Sequence, residues 1–245
     1  MMGRHHALSG ALVWFGIVGV GLGEVSHPGE AIAAAAACGA AAMLPDIDEP
    51  GSTVAHSLGY ISDGVSKITN EVCGGHRKAS HSLIGVAVVT GLAWLSTINP
   101  ISAAAVFAFL ILLAFRGLAP VGFRHGLIAF AVAVGSGVGV ALGRIDVMFL
   151  PVAVGVGYFI HLVGDMLTTG GVPLLWPWKK HFSFPILGHT DSGREKIFAV
   201  AMLLALGGLV YISGIWHGIP NVSHIEHSVT NFTHHVSGQI KKGRL

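Results

Sequence analysis

Charged side chains are scarce. Asp, Glu, Lys and Arg make up 11% of this chain, against about 25% in a typical soluble domain. That deficit argues against an ordinary soluble globular protein. Cysteine is nearly missing as well. Cys38 and Cys73 are the only two, and they form no C-x-x-C pair, so neither a disulfide framework nor a thiolate zinc site is indicated. H-E-x-x-H does not occur, which disfavours a zincin protease. G-x-S-x-G does not occur, which disfavours a serine hydrolase. The formal net charge of +2 says little by itself about nucleic acid, and no direct nucleic-acid binding is expected.

What is abundant is apolar. The 245 residues are 52% hydrophobic and include 35 glycines; their mean hydropathy is +0.70. This composition reads as an integral membrane protein. Segments free of acidic and basic residues recur at 7–23, 31–45, 82–115, 126–143, 147–160 and 197–214. The third is too long for one span, and Asn99-Pro100 divides it, because proline ends one helix and can open the next. The expected fold is all-α: a polytopic membrane helical bundle of about seven spans, with residues 1–219 as one membrane-embedded domain. The start of the chain could be a signal peptide. An uncleaved first span is preferred, because it gives His6 a role. Residues 31–45 are short and weakly apolar for a span, which implies shielding by other helices or a re-entrant path. Gly135, Gly139 and Gly143 recur every fourth residue, a small-residue row expected to pack helices.

Basic residues are unevenly placed. With seven spans, Arg4, Lys67, Arg77, Lys78, Arg116, Arg124, Lys179, Lys180, Arg194 and Lys196 fall on one side, ten of the chain's 14. The positive-inside rule puts that side and the N-terminus in the cytoplasm. Residues 220–245 carry Val222, Ile225, Val229, Phe232, Val236 and Ile240 at helical spacing, opposite a histidine-bearing face. That pattern fits an amphipathic helix lying at the membrane interface. Trp176 and Trp178 beside Lys179 and Lys180 read as an interfacial belt.

Four polar clusters stand out: "RHH" (4–6), "LPDIDEPGS" (44–52), "GGHRKASHS" (74–82) and "HLVGDMLTTGG" (161–171). In the seven-span topology all four lie at the cytoplasmic ends of spans. His161 and Asp165 are four apart and share a helix face. Asp46 and Asp48 flank Ile47 in a turn-like segment, and His76 and His81 bracket the entry to a span. Any one of these residues alone would have a bland explanation, as a helix cap or a satisfied histidine. Together they point to a metal centre of imidazoles and carboxylates. That donor set suits zinc first, with manganese or iron as alternatives, and one or two ions. Arg77 offers charge for an anionic substrate. Lys78 is explained by anchoring.

These blocks, in this order, resemble the bacterial inner-membrane metal-dependent hydrolase family associated with LexA regulation. The likeness runs over most of residues 1–215 and includes an N-terminal histidine, here His6. It implies metal or catalytic roles for His6, Asp46, Asp48, His76, His81, His161 and Asp165, with Asp48, His81 and Asp165 the catalytic choices. Arg77 and Ser80 are expected to face substrate. Ser80 stands where a threonine is common, so a hydroxyl is retained. Asp191 and Glu195, in a loosely similar "HTDSGRE", rank second. The implied activity is hydrolysis of a lipid or lipid-linked ester or phosphoester, with membrane lipid as partner. The family association alone also raises a DNA-damage-responsive role. The alternative is a non-catalytic metal-binding membrane protein or a transporter. Against a transporter, the middles of the spans carry no acidic or basic residue, whereas transporter sites lie near the bilayer midplane.

Overall fold

The computed structural model describes residues 1–20, 22, 28–118 and 123–212. The amphipathic helix expected over 220–245 lies outside them. Eight α-helices are present among the described residues: α1 (Gly3–Gly19), α2 (Pro28–Ala41), α3 (Tyr60–Cys73), α4 (Leu83–Ser96), α5 (Pro100–Leu118), α6 (Phe123–Ala141), α7 (Leu150–Met166) and α8 (Gly193–Ile212). The described residues contain no strand beyond two isolated bridges, Thr168 with Gly188 and Val172 with Phe182. The protein is a helical bundle. Seven helices correspond to the expected apolar segments. By length and composition, Pro28–Asp48 and Pro100–Gly117 could each cross a membrane; Leu83–Ser96, Gly126–Ala141 and Leu150–Met166 are apolar but shorter.

The alanine-rich α2 is the centre of the bundle. It packs against α1, α5 and α7, while α4 rests on α7, α6 on α5 and α8 on α1. Ala31, Ala34, Ala35, Cys38 and Ala41 are all buried. This resolves the weak hydropathy of the segment: neighbouring helices shield it, so small side chains suffice. Small residues let the backbones meet. A Cβ on Gly39 would stand 2.6 Å from the Ala7 carbonyl oxygen, and one on Gly157 would collide with the Cys38 carbonyl. Such close approach gains dispersion and suits helices in lipid.

The glycine row of α6 behaves differently from expectation. Gly135 faces open space, and Gly143 ends the helix region at φ 66°. Gly137 makes the close approach instead, against Ala104 and Ala108 of α5. The fourfold spacing picked one face of α6, whereas α5 lies on the opposite one, two residues round the helix. Asn99 separates α4 from α5 as anticipated: its side-chain oxygen accepts from the Ile101 N–H at 2.8 Å, capping α5.

Helix α3 is absent from the sequence-based expectation, although Ile61, Val65, Ile68 and Val72 recur at three and four residues. Those side chains are exposed. Asp63 and Lys67, paired at 2.8 Å, lie on a second face. Ser62 and Ser66 are buried on a third. One apolar, one charged and one protein-facing stripe is the geometry of a helix lying along a membrane interface. Gly74, at φ 82°, ends α3 in a left-handed turn, and the Gly75 N–H returns to the Asn70 carbonyl at 2.7 Å.

Candidate metal centre

The four polar clusters meet at one end of the bundle. His6 sits in the first turns of α1. Asp46 and Asp48 lie in a 3-10 turn, Leu44–Asp48, formed where Pro45 stops the continuation of α2. His81 lies in a second 3-10 turn, Ala79–His81, just before α4. His161 and Asp165 close α7. His6, His81, His161, Asp48 and Asp165 are buried, and Asp46 is partly open.

Four donor atoms converge. His81 Nε2 and His161 Nε2 are 3.1 Å apart. Asp46 Oδ1 lies 3.6 Å from each of them. Asp165 Oδ2 lies 3.8 Å from each. Ligands about 2.0–2.2 Å from one ion in a tetrahedral array stand roughly 3.3–3.6 Å apart, and the observed separations, from 3.1 to 3.8 Å, bracket that range. Both histidines are oriented from behind. His161 Nδ1 donates to the Ala42 carbonyl at 2.7 Å, a helix-end acceptor left free where α2 stops. His81 Nδ1 faces Asp48 Oδ2 at 3.2 Å. These contacts hold the Nδ1 sides and turn both Nε2 atoms inward, the usual arrangement of a metal-binding histidine. Two imidazole nitrogens and two carboxylate oxygens around one point form a donor set that suits a cation, although Asp165 is already paired with the Arg77 guanidinium at 2.8 Å and the Met1 ammonium at 2.6 Å. Burial opposes charge on His81, yet Asp46 and Asp48 outweigh it and push its pKa up to about 9, so a proton on His81 competes with a metal ion for this place.

His6 strengthens the fit. Neither ring nitrogen has a hydrogen-bond partner among the described residues, though the ring is fully buried. Its ring stacks on His161 with centroids 3.8 Å apart, and Nε2 is 3.3 Å from Asp165 Oδ1. A Cβ at position 164 would stand 3.1 Å from the His6 ring, so Gly164 makes room for it. His6, Asp46 and His161 form one potential ligand group; Asp46, His76 and His81 form another, and His81, His161 and Asp165 a third. The three overlap on one centre.

Asp48 stands apart from these groups. Its Oδ1 meets His76 Nδ1 at 2.7 Å, and its Oδ2 accepts from the Arg77 N–H at 3.2 Å and from the Ser80 hydroxyl. With His81 also against it, this carboxylate is saturated, and it orients histidines. Arg77 has φ 58°, a region that non-glycine residues rarely occupy. At that turn its N–H serves Asp48 while its guanidinium holds Asp165 Oδ2 at 2.8 Å. The guanidinium lies against Gly170, where a Cβ would strike Nη1. Ser80 is buried and turned toward Asp48, and its carbonyl accepts from Tyr158 Oη at 2.8 Å.

One residue matters more than the sequence suggested. Glu195, at the start of α8, is fully buried. It accepts from the Met2 N–H at 2.7 Å and the Asp191 N–H at 2.8 Å, and meets His5 Nδ1 at 2.6 Å. Burial disfavours its charge, but these partners prevail and hold its pKa below the usual range. Glu195 therefore ties the start of α1, and with it His6, to α8. The signal available was its place in "HTDSGRE". Asp191 is exposed and pairs with Lys196 at 3.2 Å. Lys78 is exposed, in keeping with anchoring. In the belt segment, Trp178 is exposed with Lys180 Nζ 5.6 Å from its ring centre.

The YdjM inner membrane protein family matches residues 1–219. The chain belongs to that family. Inner membrane protein YdjM of Escherichia coli (strain K12) is 28% identical over 188 residues, covering 76% of this chain and 68% of the relative. Inner membrane protein YdjM of Shigella flexneri matches to the same extent. These names speak of a membrane, not of hydrolysis or LexA. No solved structure matches the chain.

Proposed function

We propose that this YdjM-family protein is a metal-dependent hydrolase of the bacterial inner membrane, acting on a lipid or lipid-linked ester or phosphoester at the cytoplasmic face. The observation that carries the reading is the convergence of His81 Nε2, His161 Nε2, Asp46 and Asp165 beside the His6 ring, whose nitrogens make no hydrogen bond among the described residues. Those four side chains would hold a divalent ion, zinc before manganese or iron, with His6 completing the site or bringing a second ion. A bound ion supplies Lewis acidity, making water a nucleophile near neutral pH and polarising a substrate oxygen.

The remaining residues have separate tasks. His76 is half-buried, and its Nδ1 is fixed by Asp48. Its Nε2 is left to exchange a proton with water or with the leaving group, in an Asp–His arrangement known to suit that work. Arg77 clamps Asp165 and offers its other N–H groups to charge developing on an anionic substrate. Ser80 and Asp48 fix His81. Helix α2 ends at the centre, and the negative end of its dipole favours a cation there.

The experiment is metal analysis of purified full-length protein, with a panel of phospholipids and lipid-linked phosphates incubated in parallel. A stoichiometric divalent metal and metal-dependent release of product support the reading. Bound metal without turnover on any of the panel favours the non-catalytic alternative. No bound metal under any loading condition removes both.

A further inference from the structure

An apolar groove of about 500 Å³ runs between α3 and α4 and ends at the side-chain cluster just described. That volume falls within the range of small-molecule sites, roughly 300–1,000 Å³. Ile61 and Val65 of α3 form one wall, and Ile84, Val88 and Leu92 of α4 the other. All five are also exposed on the molecular surface. The walls therefore continue into apolar faces on the outside of the bundle, and the groove opens sideways between them. Its inner end is lined by Cys73, Ser80 and Tyr158. Ser80 belongs to both environments: its side chain donates to Asp48, and its neighbour His81 presents Nε2 to the metal centre.

We propose that this groove holds one hydrocarbon chain of a membrane lipid with an anionic head group, and that the substrate enters along it. The inference rests on the hydrolase reading only for the word substrate; the lipid site stands on the groove itself. Three observations select the occupant. The lining is almost wholly apolar, so a polar ligand would lose its hydration without replacement. The opening lies beside an interfacial helix, where a lipid arrives by lateral diffusion rather than from water. Arg77 and the exposed Lys78 directly precede Ala79 and Ser80, which line the groove, and so bring positive charge close to it for the head group.

The test uses full-length protein in nanodiscs of phosphatidylglycerol carrying a photoactivatable diazirine in one acyl chain, with cross-linked peptides read by mass spectrometry. Cross-links are expected to concentrate on α3 and α4 around Val65 and Val88. They should exceed those on the equally exposed α6 face at Leu127 and Val134. Val88→Trp fills the groove from an exposed position and should reduce groove cross-linking by about tenfold, since each displaced methylene loses its apolar burial. Alkylation of Cys73 by N-ethylmaleimide is an independent readout, because Cys38 is fully buried in α2. Phosphatidylglycerol should slow it in the unaltered protein and not in Val88→Trp. Even labelling of all lipid-facing helices, or unchanged Cys73 reactivity on adding lipid, overturns the proposal. The outcome separates from that of the hydrolase reading. Groove cross-linking without turnover keeps the lipid site and removes the enzyme. Turnover without groove cross-linking keeps the enzyme and removes the lipid site.

Discussion

His81 and His161 point their Nε2 atoms at each other across 3.1 Å, each with its Nδ1 held from behind by an acceptor. Two bare Nε2 lone pairs would repel at that distance. A proton on one ring or a shared divalent cation favours it, and the metal reading takes the second. His81→Ala, His161→Ala and Asp46→Ala are therefore each expected to lose bound metal while still inserting into the membrane. Chelation of the unaltered protein should abolish hydrolysis, and re-addition of zinc should restore it. Metal content and turnover measured on the same preparations check both. Full metal and full activity in both histidine variants would show the cluster to be structural.

Asp48 touches His76, Arg77, Ser80 and His81 without joining the donor set. Asp48→Asn should weaken metal binding by about 10–100-fold, the usual cost of removing a residue that orients ligands. Arg77→Ala should fall in the same range, because Asp165 loses its guanidinium partner. His76→Ala should instead retain metal and lose turnover, with a drop of about 10²–10⁴ if it transfers a proton. Titration with a chromophoric chelator beside steady-state rates separates the two patterns. Loss of metal in His76→Ala at the level of His81→Ala would make His76 a ligand.

Glu195 anchors α1 through His5 and the Met2 N–H. Glu195→Gln should lower the midpoint of thermal unfolding in detergent. The folded pKa of Glu195 is depressed, so its contribution is present above the unfolded value of about 4.3 and is lost as the pH falls through the folded value. The gap between Glu195→Gln and the unaltered protein should accordingly be widest near neutrality and close toward acid. A gap that is constant across that range would assign the loss to packing.

Helix packing makes its own prediction. Gly157→Ala brings a methyl group onto the Cys38 carbonyl of the central helix and should cost about 1–3 kcal/mol, as over-packing does. Gly135→Ala, which meets open space, should cost little. Thermal midpoints of the two variants test the difference, and equal midpoints would mean that α2 and α7 do not meet through Gly157.

Sidedness follows from the site. Single cysteines at the exposed Thr53 and Thr169, in a background lacking Cys38 and Cys73, should resist impermeant thiol reagents in intact cells. A cysteine at the exposed Arg144 should react. Labelling of Thr53→Cys and Thr169→Cys from outside would invert the topology.

Much of the centre was legible in the sequence. Charged residues are so costly in an apolar chain that Asp46, Asp48, His81 and Asp165 stand out at once, and helical spacing pairs His161 with Asp165. The seven apolar segments were equally plain, because hydropathy is local. Sequence did not assign the partners. Whether Asp48 binds a metal or orients His81 depends on which side of the imidazole it occupies, and only the packing of two 3-10 turns decides that. The importance of Glu195 depends on α8 lying beside the start of α1, two segments separated by most of the chain. Ile61, Val65, Ile68 and Val72 have helical spacing, yet α3 escapes the sequence-based expectation because its segment is too polar to stand out as a span, and its relation to α4 is tertiary. A groove is a property of two surfaces, and neither sequence segment contains it alone.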